Sequence, residues 1–111
     1  MLITKENINE FIEGTTMDCS NMYITGIDYI PETITHLYCD NNKLTELPKL
    51  PDSLRYFDCN NNKLTSLPKL PDLLISLLCY NNNLPYTITI ENLKEHNKLI
   101  KRKEILKRIC T

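Results

Sequence analysis

Glycine is almost missing from this chain of 111 residues, which has only two. That excludes a collagen-like repeat and leaves no glycine-rich loop to cradle a phosphate. An excess of charge is missing as well. Thirteen Lys and Arg against fourteen Asp and Glu leave a net charge of −1, and 41% of residues are apolar. Such a composition excludes a charge-driven disordered chain. No apolar run approaches the roughly 20 residues that a membrane-spanning helix requires. The start, Met1 to Ile12, carries Lys5, Glu6 and Glu10 in place of a basic patch followed by an apolar stretch. A secretory leader is therefore not expected. Catalytic signatures are also absent. The histidines, His36 and His96, do not stand at metal-ligand spacing, and no serine sits in a nucleophile elbow.

What the chain does have is a period of twenty, without insertion. Cys19, Cys39, Cys59 and Cys79 form one column, and Met17, Leu37, Phe57 and Leu77 another. Further columns join Ile24, Leu44, Leu64 and Leu84, then Ile34, Leu54 and Leu74, then Pro31, Pro51 and Pro71. Such self-similarity means stacked units, each too small to bury its own apolar face. In Tyr56 to Asn60 the alternation of a strand turns Phe57 and Cys59 inward, and Tyr56, Asp58 and Asn60 outward. The return stretches Leu47-Pro48-Lys49-Leu50-Pro51 and Leu67-Pro68-Lys69-Leu70-Pro71 hold prolines that forbid a regular helix and favour an extended, polyproline-like path.

From Leu54 to Leu64 the chain fits L-x-x-L-x-L-x-x-N-x-L with Cys59 in the third apolar place, the leucine-rich-repeat signature. With its L-P-x-L-P return, the segment Met17 to Pro85 resembles the short repeats of bacterial secreted effectors and of arrays in giant-virus proteins. The resemblance implies an α/β leucine-rich-repeat solenoid with a short parallel sheet on its concave face, an extended convex side and helical caps. The expected layout is one domain: a capping helix in 1–14, four units in 15–86 and a basic capping helix in 87–111. Thr4 is the expected N-cap of a helix over Lys5 to Glu13, with Ile8, Phe11 and Ile12 on one face and Gly14 at its end. Residues 91 to 110 read as helical. There Leu93 and Ile100 form one stripe, and Leu99, Leu106, Ile109 and Cys110 a second. Because the stripes do not align, a bend or two helices are expected.

Four evenly spaced cysteines invite a zinc or disulfide reading. Zinc needs ligands converging on one point, whereas these lie on successive parallel strands. Strands about 4.8 Å apart with parallel side-chain vectors also exceed the ~3.8 Å Cβ separation of a disulfide. Cys19, Cys39, Cys59 and Cys79 are thus expected as small buried core residues, which points to a reducing, intracellular and cytoplasmic setting (the host's, for a viral chain). Cys110, outside the column, is expected as a partly buried helix residue. In this family the column Asn42, Asn62 and Asn82 looks like a hydrogen-bonded ladder serving backbone that the loops leave unpaired. Neither a metal nor a cofactor is expected.

Function is expected on the outward strand positions. The candidate partner-binding residues are His36, Tyr38, Asp40, Tyr56, Asp58, Asn60, Leu78 and Tyr80, with Asp18 adding acidity. Tyrosines and an exposed leucine are amphipathic anchors of the kind enriched in protein interfaces. Four strands span only about 15 to 20 Å, so a single helix or loop of basic character fits. The alternative rests on charge. Residues 91–111 hold seven Lys or Arg against three Glu, net +4, while residues 1–90 hold six against eleven, net −5. Lys98, Lys101, Arg102, Lys103, Lys107 and Arg108 are the candidate anion-binding set for nucleic acid or an anionic membrane. Interrupting glutamates, and the lack of interleaved aromatics for base stacking, rank both behind a protein partner. A monomer, or a weak homo-oligomer held by the basic tail on the acidic body of another copy, is expected. An enzyme is not: after the array there remains only a helix, too short for the ubiquitin-ligase domain that some effectors carry.

Overall fold

The computed structural model describes residues 1–109. Each twenty-residue unit supplies one short strand: β3 (Thr16–Asp18), β5 (His36–Tyr38), β6 (Tyr56–Asp58) and β7 (Ser76–Leu78), where β1 (Leu2–Ile3), β2 (Ile12–Glu13) and β4 (Gly26–Ile27) are the remaining strands. The unit strands pair in parallel with a register of twenty, so that Met17, Leu37, Phe57 and Leu77 stand side by side. All four are buried, as alternation requires, and their flanking residues face outward. The fold is α/β: a mixed five-stranded sheet in the order β2-β3-β5-β6-β7, a two-stranded parallel sheet β1-β4, and one helix, α1 (Leu93–Ile109).

Past each strand the chain turns through an asparagine with positive φ: Asn21 at 57°, Asn41 at 55°, Asn61 at 57° and Asn81 at 55°. Asparagine enters the left-handed region at lower cost than most residues, which accounts for the first Asn of each pair. The second Asn reaches back. The Nδ2 of Asn62 donates to Cys39 O at 3.0 Å and Cys59 O at 3.1 Å, while its Oδ1 accepts from Leu44 N at 3.0 Å. Asn42 and Asn82 make the equivalent bonds one unit to either side. Met22 occupies this place in the first unit, whose outer side the N-terminal segment pairs through other groups: Thr25 N donates to Met1 O and Asp28 N to Ile3 O. The prolines then close a turn, with Ile34, Leu54 and Leu74 donating to the carbonyls of Pro31, Pro51 and Pro71.

The N-terminus departs from the expected helix over Lys5 to Glu13. A single 3-10 turn, Ile8–Phe11, lies between β1 and β2. The cause is local competition. Asn7 Oδ1 accepts from Thr4 N at 2.8 Å and its Nδ2 donates to Leu2 O, so the side chain holds a reversal in place of a helix start. With Leu2 and Ile3 already paired to β4, too few residues remain to repay helix nucleation. Gly14, expected to end that helix, instead sits at φ 62° in the two-residue turn between the antiparallel strands β2 and β3. Gly26 serves a close approach, since a Cβ there would lie 2.8 Å from the Leu2 side chain.

At the other end α1 is one unbroken helix, where a bend or a pair had been expected. Thr89 and Asn92 form its entry, Thr89 N donating to Asn92 Oδ1 at 2.8 Å. Only its first turns pack on the body: Leu93 and His96 are buried, whereas Leu99, Leu106 and Ile109 are exposed. The second stripe meets no surface, so nothing forces the helix to bend. Cys110 lies outside the described residues.

Candidate functional site

Parallel pairing brings the outward residues into rows across the sheet. Thr16, His36, Tyr56 and Ser76 form one row, and Asp18, Tyr38, Asp58 and Leu78 the next. The His36 and Tyr56 rings stack, with centroids 4.5 Å apart and planes at 17°, and Tyr38 tilts against His36 at 6.3 Å. A continuous aromatic strip therefore crosses two strands. Thr35 Oγ1 lies 2.9 Å from His36 Nδ1 and donates to Thr15 Oγ1 at 2.8 Å, which fixes the imidazole edge.

The acidic residues border this strip. Ser20 Oγ lies 2.8 Å from Asp18 Oδ1 and 2.7 Å from Asp40 Oδ1, and its single hydrogen can serve only one carboxylate at a time. Asp40 Oδ2 also accepts from Asn41 Nδ2, and Asp58 Oδ1 from Asn60 N at 3.0 Å. Every one of these partners is neutral. Partial burial pushes the Asp58 carboxyl above its usual range; the Asn60 amide opposes that shift and the Asp40 charge adds to it. Asn60 Oδ1 accepts from Tyr80 N, tying the third outward row to the last unit. Tyr80, Tyr56 and Leu78 are exposed, and Tyr38 is half-buried. The face can thus offer ring surfaces and carboxylates. Among the described residues no cluster of His, Cys, Asp or Glu could hold a metal ion.

The remaining predicted residues divide by position. Cys19, Cys39 and Cys59 are fully buried free thiols, and burial first, then neighbouring charge, raises their pKa; that of Cys19 is pushed up to about 12. Cys79 corrects the core expectation for the fourth copy. It is only half-buried, because no further unit covers it, and its thiol donates to Ile88 O at 3.0 Å. The cations of α1 do not converge: at about 100° per residue, Lys98, Lys101, Arg102, Lys103, Lys107 and Arg108 circle the helix. Lys98 pairs with Glu95 at 3.4 Å, both well exposed.

Sequence reasoning missed the anchor of α1. His96 is buried, with Nε2 3.0 Å from Pro68 O and Nδ1 2.7 Å from the Tyr86 hydroxyl. Since a carbonyl only accepts, the Nε2 position carries hydrogen and the Tyr86 hydroxyl can donate to Nδ1. Asn97 adds a two-way bond to Leu70, each arm 2.8 Å. Only their helical spacing from Leu93 marked these polar residues as inward. Ile105 was also missed; it is exposed beside Leu106 and Ile109. Searches against protein-family models, curated proteins and solved structures find no match to this chain.

Proposed function

We propose that the chain is a short leucine-rich-repeat solenoid, non-enzymatic and intracellular, whose outward strand face binds a helix or loop of basic character on a partner protein. The observation that carries this reading is the aromatic strip His36–Tyr56–Tyr38 bordered by Asp18, Asp40 and Asp58 with only neutral hydrogen-bond partners. Rings give contact area at low entropic cost, and the carboxylates select positive charge. The face takes no part in core packing, so its composition is free to serve a partner. The triple change Tyr38→Ala, Tyr56→Ala and Tyr80→Ala should leave the circular dichroism spectrum and the melting transition close to those of the parent while abolishing partner recovery from lysate. Equal recovery by both proteins would overturn the reading.

A second reading has its own observation. On α1 the exposed Leu99, Ile105, Leu106 and Ile109 fall within about 120° of arc, opposite the face that packs through Leu93, His96 and Ile100. An apolar stripe amid lysines suits an anionic membrane better than nucleic acid, whose phosphates gain nothing from it. None of the described helices is long and apolar enough to cross a membrane. Charge reversal at Lys101, Arg102 and Lys103 should remove binding to anionic vesicles at low salt. Absence of such binding in the parent would dispose of this reading.

A further inference from the structure

The four units carry an internal control, because equivalent positions can be compared within one chain. Positions that are polar in the earlier units turn apolar in the last. Leu73 stands where Ser53 and Thr33 do, and Ile75 where Arg55, Thr35 and Thr15 do. Leu78 replaces Asp58, Tyr38 and Asp18, and Tyr80 replaces Asn60, Asp40 and Ser20. These side chains are not hidden by the change of unit: Leu73 is 68% exposed, Ile75 59%, Tyr80 61% and Leu78 37%. Ile75, Leu78 and Tyr80 together add apolar surface beside the last strand that the earlier units do not have, and mark a surface that is covered in use.

Beside that surface the sheet ends open. Among the described residues, β7 pairs with β6 on one side and with no strand on the other. The earlier units show which backbone groups are left over. Cys59 N donates forward to Leu78 O, Asn61 N forward to Tyr80 O, and Arg55 O accepts from Ile75 N. Residues 55 and 59 thus direct their backbone groups at the next unit. By the same register, Ile75, Leu77 and Cys79 direct theirs off the edge. These positions are symmetric about Leu77, so a two-fold axis there sets Leu77 against its own copy as an antiparallel hydrogen-bonded pair and places Ile75 O opposite Cys79 N of the other copy, Ile75 N being already engaged by Arg55 O.

Charge identifies the occupant. An isologous contact doubles every charge it contains and brings charges near the axis up against their own copies, so an uncharged patch suits it. The earlier outward rows carry Asp18, Asp40, Arg55 and Asp58, which would oppose their own kind, while Ile75, Ser76, Leu78, Tyr80 and Asn81 are neutral. We propose that the β7 edge is the contact between two copies of this chain, joined as an antiparallel β7–β7 pair and covered by Ile75, Leu78 and Tyr80. The dimer leaves the aromatic strip on β5 and β6 free. It does not depend on the protein-binding reading given above.

The test uses the full chain over a concentration series from about 10 µM to about 1 mM, since self-association makes mass depend on concentration. Sedimentation equilibrium should show a shift from one to two copies, and amide exchange should slow at Leu77 and Cys79 as the dimer fills. Ile75→Lys and Leu78→Lys, both at exposed positions, should keep the fold by circular dichroism and weaken dimerisation at least tenfold. A mass of one copy throughout overturns the proposal and leaves the edge to a strand from a different protein. A dimer that ignores both substitutions, or whose protection falls on α1, overturns it equally.

Discussion

A buried amide matters most where no water can replace it. Asn62 serves Leu44 N, Cys39 O and Cys59 O deep between two units, while Asn82 performs the same task at the open end, where it is half-exposed. Asn62→Ala should therefore cost about 2–3 kcal/mol in urea denaturation, from buried groups left unpaired, and Asn82→Ala about half as much. Equal costs would contradict the assignment of the ladder to buried backbone. Asp58 offers the reverse case, a side chain whose charged form the fold disfavours. Its folded pKa is raised, so the folded state holds the proton more tightly and stability from this group falls as pH rises through the window above the unfolded value of roughly 3.9. Asp58→Asn should accordingly raise the melting temperature at pH 7 and leave it unchanged near pH 3, as read by thermal scans at both values.

At the scale of elements, polar anchors decide what periodicity alone does not. The apolar pattern of residues 5–13 suits a helix, yet the Asn7 side chain captures Thr4 N and Leu2 O and the segment folds as a 3-10 turn between strands. Helix α1 illustrates the opposite outcome, since two unaligned stripes yield one helix because only the first has a surface to meet. His96 is the pin that holds it. His96→Ala removes both the Pro68 and Tyr86 bonds and leaves a void, so a loss of about 1–3 kcal/mol is expected. Amide exchange over residues 93–97 should speed up in that variant, while the strands from β3 to β6 keep their protection. Uniform acceleration across the sheet would show that α1 is not a separable element.

At the scale of the molecule, the radius of gyration of 13.9 Å is close to the roughly 13 Å typical of a compact chain of this length. The body has two unlike ends. At the N-terminal end β1 and the β2–β3 hairpin furnish hydrogen-bond partners to the first unit. The other end has Ile88 over part of the core and, among the described residues, β7 without a second strand partner. Residues 1–90 carry a net charge of −5 and residues 91–111 a net +4, so the repeat body and α1 differ in sign despite a net charge of −1.

The parallel register of β3, β5, β6 and β7 is legible in the sequence, because every unit repeats the same inward pair, Met17 and Cys19 through Leu77 and Cys79. Outward placement of His36, Tyr38, Tyr56 and Asp58 follows from that alternation alone. What tertiary structure decided is everything that depends on which neighbour is present. Cys79 repeats Cys59 in sequence but is half-buried, because among the described residues it has a neighbouring unit on one side only and no segment covers its other side as the N-terminal segment covers Cys19. Leu99 and Leu93 are alike in chemistry and differ in exposure, because Leu99 lies on the face of α1 turned away from the body. His96 and Asn97 became anchors only once the Pro68 and Leu70 carbonyls lay within reach. A periodic sequence by itself determines the contacts each unit makes with its own kind; where the period stops, only the packed chain determines what the last unit meets.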